Sequence, residues 1–391
     1  MSETTERTSG TPTGVPELVN PAINQRIVSP WMFPLSGGWR MLSALGKLTF
    51  TILFILVLHT VDTAIFLVNL VWPSRSAEAL VPGRYSPENP PPFSQRPLTW
   101  VLCCLESFLG DGLTPTWITY ITHWEGIGHD GRWEHSFETP PQGEGAMWSR
   151  CPCPAINAMA NHGIIPRDGR HITPIQLAAA VHNTYNLSLT LSIQLLAAFY
   201  PFYLERGWFD IEDLGGQGVI QHDGSFLRED VNSPWAFPTV IGTQARPSQR
   251  LIERYFPASN TKDYTWQNHS AILAHRRADS RNHNGTFVLN PLQYVFSSGN
   301  SALIHEVVGG KMHELRPWIG ANEYGWEMHI DGFQPKCKQG WGMSILQLQI
   351  WTAIIELGAG SLSGPRFPYK NDIDAYQGWN ADQAKAGAEV N

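Results

Sequence analysis

The chain has 391 residues, 42% of them hydrophobic and 16% charged, enough for one large domain or two ordinary ones with a sizeable core. A net charge of −7 leaves no basic footprint, so nucleic acid is not expected as a partner. Sixteen tryptophans and 29 prolines without an internal period exclude a repeat array and predict a mostly α-helical body with long ordered loops.

Residues 1–40 are expected to form a disordered tail, because the first twenty or so are rich in Ser, Thr, Gly, Pro and Glu and offer little to bury. Residues 41–75 hold an apolar run, Leu48 to Trp72, long enough to cross a bilayer as a helix. His59, Asp62 and Asn69 interrupt it. His59 and Asp62 share a helical face and could satisfy each other, and the run reads either as a membrane anchor or as a helix packed on the globular body. Arg26, Arg40 and Lys47 precede it and Arg75 follows, a bias that favours a cytoplasmic N-terminus and a lumenal body; the expected location is the endoplasmic reticulum or another endomembrane.

Residues 76–144 read as a linker, stiffened by Pro90-Pro91-Pro92, and an amphipathic segment carrying Leu102, Leu105, Phe108 and Leu109. Residues 145–360 then form the expected main folded domain. Its first feature is Cys151-Pro152-Cys153-Pro154, where Pro154 suits the first position of a helix that Gly163 ends. Cys153 therefore sits at a helix N-terminus, where orphan amides and the dipole favour a thiolate; a small buried hydrophobe is the plainer reading. The five cysteines match no zinc pattern, and Cys151 and Cys337 could pair in an oxidising lumen.

Further along, Asp168-Gly169-Arg170 reads as a turn and Thr173-Pro174 as a helix start. Leu187 to Phe202 reads as one core helix of about four turns, and 251–256 and 265–277 as two more, the latter ending on the basic His275-Arg276-Arg277. Between them, Gln221-His222-Asp223-Gly224-Ser225 gathers proton-transferring and metal-capable groups after a glycine-rich stretch that fails as a nucleotide loop. Phe287 to Val308 is apolar but broken by Ser297-Ser298-Gly299-Asn300-Ser301. His305-Glu306 fails as a zinc-protease motif because Gly309 stands where the second histidine belongs. Met343 to Leu357 is the last strong helix, and residues 361–391 form a polar tail. Asn186, Asn268 and Asn284 stand in glycosylation sequons.

Taken together, Pro152-Cys153-Pro154-Ala155-Ile156-Asn157-Ala158-Met159-Ala160-Asn161-His162-Gly163 through Arg170 resembles the signature of the fungal heme-thiolate peroxidases, the chloroperoxidase and unspecific peroxygenase family. Gln221-His222-Asp223 resembles that family's Glu-His-Asp motif, and Asn300 to Gly310 with Glu323-Tyr324-Gly325-Trp326 resembles its distal segment. The resemblance implies a single helical heme-thiolate domain preceded by the apolar helix. It makes Cys153 the thiolate ligand of a b-type heme, with Pro154 starting the supporting helix and the amides of Ala155 to Asn157 bonding to the sulfur. It also implies an Mg2+ or Mn2+ site at Gln221, His222 and Ser225, where Gln221 replaces the family's Glu and supplies only a neutral amide. The family's distal glutamate falls on Asn300, which cannot transfer a proton, so His222 or Glu306 is left to do so.

The resulting expectation is a membrane-associated enzyme that oxidises or oxygenates a hydrophobic secondary metabolite with hydrogen peroxide. Two alternatives remain open, a heme-dependent redox-neutral conversion and a non-catalytic heme-binding pathway partner.

Overall fold

The structure, a computed structural model, describes residues 38–71, 136–141, 148–196, 199–216, 221–232 and 245–363. The expectations for most of the 1–40 tail, for nearly all of 76–144 and for the tail after Ser363 lie outside these residues. What is described is mostly helical, and among the described residues the only β pairing consists of isolated bridges such as Ile172 with Phe209 and Leu187 with Met343.

The cysteine segment enters α2 (Pro154–Asn161), followed by α3 (Pro174–Tyr185), α4 (Leu189–Leu195) and α5 (Tyr200–Arg206). Helix α2 starts at Pro154 and stops where Gly163 turns left-handed at φ +69°. There the amides of Gly163 and Ile164 close onto Ala160 and Met159. Helix α3 begins with a reciprocal capping box between Thr173 and Gln176. The single helix expected over 187–202 is instead two. Ser188 caps α4 by accepting the Leu191 amide, α4 ends at Leu195, and Pro201 takes an early position in α5.

Helices α6 (Gln249–Tyr255), α7 (Trp266–His283), α8 (Pro291–Val307), α9 (Met312–Trp318) and α10 (Ile345–Ser363) complete the body. Helices α7, α8 and α10 pack on one another, with Leu273, Ala274, Ala302, Ile355 and Ala359 buried between them. Helix α7 runs past the expected end at Arg277, so Arg276 and Arg277 are buried mid-helix and not at a dipole terminus. Arg276 pairs with Asp230 and Asp279, and Arg277 grips Glu356 of α10. Helix α8 continues straight through the serine-rich break, because Ser297, Ser298 and Ser301 are buried. The Ser298 hydroxyl bonds to Glu356, and that of Ser301 back to the Ser297 carbonyl.

The apolar run is α1 (Gly38–Val71). Its polar residues do not satisfy each other. His59 Nδ1 lies 2.9 Å from the Ile55 carbonyl. The buried Asp62 reaches across the fold instead, accepting the Thr190 hydroxyl at 2.6 Å and the Ile345 and Leu346 amides at 2.8 and 2.9 Å. Those amides open α10, so a carboxylate from α1 caps it. Asn69 adds a two-way contact, donating to the Gly342 carbonyl at 2.8 Å and accepting the Trp341 amide at 3.2 Å. Leu58, Asp62, Ile65 and Asn69 form one helical stripe, buried or partly buried against the body.

Candidate active site

The residues around Cys153 are fixed from three sides. Ser149 is pinned to the following turn, its amide donating to the Asp168 carbonyl at 2.6 Å. That approach needs Gly169, where φ is +68° and a Cβ would meet the Ser149 carbonyl at 2.4 Å. Asn157 then holds Cys151 in both directions. Its Oδ1 accepts the Cys151 amide at 3.0 Å and its Nδ2 donates to the Cys151 carbonyl at 2.8 Å. Arg150 donates through Nε and Nη2 to Asn161 Oδ1 at 2.9 and 2.6 Å. The Tyr185 hydroxyl donates to the Ala155 carbonyl at 2.7 Å and lies 3.0 Å from His329 Nε2.

Cys153 is the N-cap residue of α2, partly exposed while Cys151 beside it is buried. Burial pushes the Cys153 thiol up, against the Ile156 and Ala155 amides directed at the sulfur and the Arg228 charge, which pull it down. The expected role of the Asn157 amide is different in the structure: it donates to the Cys153 carbonyl at 3.2 Å, and Asn157 acts through its side chain. No disulfide links Cys151 to Cys337. Cys337 Sγ donates to the Tyr185 carbonyl at 3.1 Å, and Cys151 Sγ lies 3.5 Å from Asn157 Oδ1.

Behind the sulfur is a buried ion pair that sequence reasoning missed. Arg228 bonds to Glu327, whose side chain is fully buried and lies 3.4 Å from Asn157 Nδ2. The Arg228 Nε and Nη1 atoms are buried without a partner among the described residues. Burial raises the Glu327 carboxyl, and Arg228 opposes that rise. The available signal was a charged residue directly after Glu323-Tyr324-Gly325-Trp326 and an arginine three positions after Ser225; neither indicated its partner.

The His222 loop packs on α7, with Gly224 at φ +67° close to the backbone of Arg277. Gln221, His222 and Asp223 are all buried. His222 Nδ1 lies 2.9 Å from the Asp223 carbonyl, which can only accept, so the proton sits on Nδ1 and the lone pair on Nε2. Burial lowers the His222 pKa, as do the charges of Arg277 and Arg276. The Ser225 hydroxyl donates to the His222 carbonyl at 2.8 Å. Asp223 Oδ2 accepts the Val288 amide at 2.9 Å. The donor set expected for Mg2+ or Mn2+ is thus an amide, a carbonyl and a hydroxyl already bonded to that carbonyl, and no cluster of three His, Cys, Asp or Glu side chains occurs among the described residues. Such a neutral set does not fit a hard divalent cation.

The two candidates on α8 are not brought to His222 by any hydrogen bond. Asn300 is exposed. Glu306 faces α10, where it accepts Gln347 Nε2 at 2.6 Å, and burial raises its carboxyl.

The model of "Peroxidase, family 2" matches residues 135–341, which include Cys153, the His222 loop, Asn300, Glu306 and Glu327. Chloroperoxidase of Leptoxyphium fumago is 36% identical over 89 residues, covering 21% of this chain and 24% of that protein. Dothistromin biosynthesis peroxidase dotB of Dothistroma septosporum is 42% identical over 55 residues, 14% of this chain and 12% of that protein. The aligned stretches thus span a quarter or less of those relatives. With the family model covering more than half of its length, the chain belongs to peroxidase family 2, the fungal chloroperoxidase family of heme enzymes.

Proposed function

We propose that this peroxidase is a heme-thiolate enzyme in which Cys153 ligates the iron of a b-type heme, and that it oxidises or oxygenates a hydrophobic secondary metabolite with hydrogen peroxide. The observation that carries the reading is Cys153 as the partly exposed N-cap residue of α2, at the positive end of that helix. The donor chemistry fits a heme iron. The thiol is presented on a partly exposed helix N-cap, where the amides and the Arg228 charge partly offset the upward push of burial, and buried Arg228 has two N–H groups to spare.

Bound through Cys153, the heme supplies the oxidising chemistry of peroxide, and electron donation by a thiolate ligand favours O–O heterolysis. The chain supplies the rest. Asn157, Arg150 and Tyr185 hold the cysteine loop and α2 in place, so the sulfur need not reorganise. His222, neutral at pH 7 with its lone pair on Nε2, is the group suited to take up and return a proton. Asn300 cannot transfer one, and the Glu306 carboxyl is occupied by Gln347.

Two features support a hydrophobic substrate reached at a membrane, namely the relative named for dothistromin biosynthesis and the apolar face of α1. Arg26, Arg40 and Lys47, on the N-terminal side of the apolar run that begins at Leu48, support an endomembrane location with the body in the lumen. The test is to load the full chain with heme and supply hydrogen peroxide with a panel of polycyclic aromatic substrates. A peroxide-dependent product that Cys153→Ala abolishes is expected. A product formed without peroxide would transfer the reading to a redox-neutral conversion, favoured by Asn300 at the distal position. Heme binding with no product under either condition would leave a non-catalytic partner.

A further inference from the structure

The three asparagines in sequons differ at one atom, the amide nitrogen Nδ2 that an N-linked sugar would occupy. Asn186 closes α3 in the left-handed region at φ 52° and is fully buried. Its Nδ2 donates to the Cys337 and Gln339 carbonyls at 2.8 and 3.1 Å, so a sugar on that nitrogen would push the 337–339 backbone off the end of α3. Asn284, just beyond α7, is buried too. Its Nδ2 donates to Asp230 Oδ2 at 3.2 Å, and its Oδ1 accepts the Thr286 amide and hydroxyl at 3.0 and 2.9 Å. Asp230 also accepts the Gly224 amide and pairs with Arg276, so a sugar on Asn284 would break the contacts that join the His222 loop to α7.

Asn268 is arranged the other way round. It lies in the first turn of α7, partly exposed, with Thr265 and Gln267 exposed beside it. Its Oδ1 accepts the Thr265 amide and hydroxyl at 2.8 and 2.9 Å and so closes the capping box, while its Nδ2 makes no hydrogen bond among the described residues. A sugar on Nδ2 leaves the carbonyl oxygen in place as an acceptor, and the helix start survives the modification. Ser270, whose hydroxyl completes the sequon, is buried and donates to the Ile355 carbonyl at 3.1 Å. Sugar transfer therefore precedes the docking of α10, whose Ile355 lies 85 positions further along the chain.

We propose that the folded protein carries an N-linked glycan on Asn268 and none on Asn186 or Asn284. This rests on the lumenal placement of the body given above and deepens it. The co-reactant is a lipid-diphosphate-linked oligosaccharide: a bond forms between Asn268 Nδ2 and the anomeric carbon of the sugar, the bond from that carbon to the diphosphate breaks, and the proton lost from Nδ2 balances the charge on the released lipid diphosphate. The sugar keeps the start of α7 in water.

The test is to produce the full chain in a eukaryotic host and isolate the fraction that unfolds cooperatively. Its glycans are trimmed to a single N-acetylglucosamine, and the peptides are mapped by mass spectrometry. A second protein carries Ser259→Asn, which completes a sequon with Thr261 in an exposed turn and reports whether the body reaches the lumen. The expected result is a residual sugar on Asn268 alone, lost in Asn268→Gln, a substitution that keeps a capping-box residue at this helix position. A sugar on Asn186 or Asn284 in the folded fraction would overturn the proposal. So would a bare Asn268 beside an occupied reporter, with the lumenal placement left standing. A bare reporter together with three bare sequons would overturn the lumenal placement and the proposal with it.

Discussion

Asp62→Ala is the sharpest stability prediction, because this carboxylate is 1% exposed and its three partners lie on two distant segments. Its removal leaves the Ile345 and Leu346 amides without an acceptor at the start of α10. The Thr190 hydroxyl keeps a second partner in Ser188 Oγ at 2.8 Å and counts for little. A buried donor left unsatisfied costs about 1–3 kcal/mol, so the two amides together cost about 2–6 kcal/mol. For a body of this size each kcal/mol moves Tm by about 2–4 °C, which gives a fall on the order of 10 °C. The assay is thermal unfolding of the full chain in detergent micelles, followed by circular dichroism. Asp62→Asn keeps one acceptor oxygen and should fall between wild type and Ala. A shift below about 2 °C for Asp62→Ala would show that α1 does not cap α10.

Further outcomes follow from the buried ion pair and the buried histidines. Glu327→Gln leaves the Arg228 cation buried without its counter-charge and should cost about 3–5 kcal/mol in denaturant unfolding, whereas a surface pair such as Arg316 with Glu253 should cost under 1 kcal/mol when broken. His222→Gln should preserve the heme spectrum while lowering turnover by about 100-fold or more. Because burial lowers the His222 pKa, wild-type activity should hold below the ordinary imidazole range and fall only in more acid solution; an acid limb at or above pH ~6.5 would contradict this. His269, stacked on Phe226 with neither ring nitrogen bonded, has its pKa lowered to about 3. The unfolded chain therefore takes up that proton near pH ~6.5 and the folded chain does not, so His269 destabilises the fold progressively as pH falls from there. His269→Leu should remove about 1.4 kcal/mol per pH unit from the dependence of unfolding free energy on pH between 6.5 and 4. An unchanged slope would refute the assignment.

Local chemistry carried the sequence reading well where the relevant partners are close in the chain. Pro154 starting α2, Gly163 ending it, and Thr173 capping α3 involve residues within a few positions of each other, and the structure has all three. Cys153 as a helix-start thiol was legible for the same reason. Breaks and continuities between helices were less so. Ser297 to Ser301 look like a loop in isolation, but burial against α7 and α10 lets their hydroxyls bond to Glu356 and to the helix backbone, and α8 runs on. Leu187 to Phe202 reads as one apolar period, yet it forms α4 and α5 with a break between them. Least legible were long-range polar contacts. Asp62 meets partners 128 and 283 positions away, and Arg228 meets Glu327 across 99 positions. No periodicity or spacing encodes such pairs, so Asp62 read as a defect in a membrane span and Glu327 was passed over.

Iron ligation by Cys153 is the claim on which the proposed chemistry depends, and the carbon monoxide spectrum of the reduced, heme-loaded protein tests it most directly, wild type against Cys153→His. A strongly red-shifted Soret band, characteristic of thiolate ligation, is expected in wild type and is lost in the variant. A Soret band at the position typical of imidazole ligation in both proteins would contradict the assignment of Cys153 to the iron.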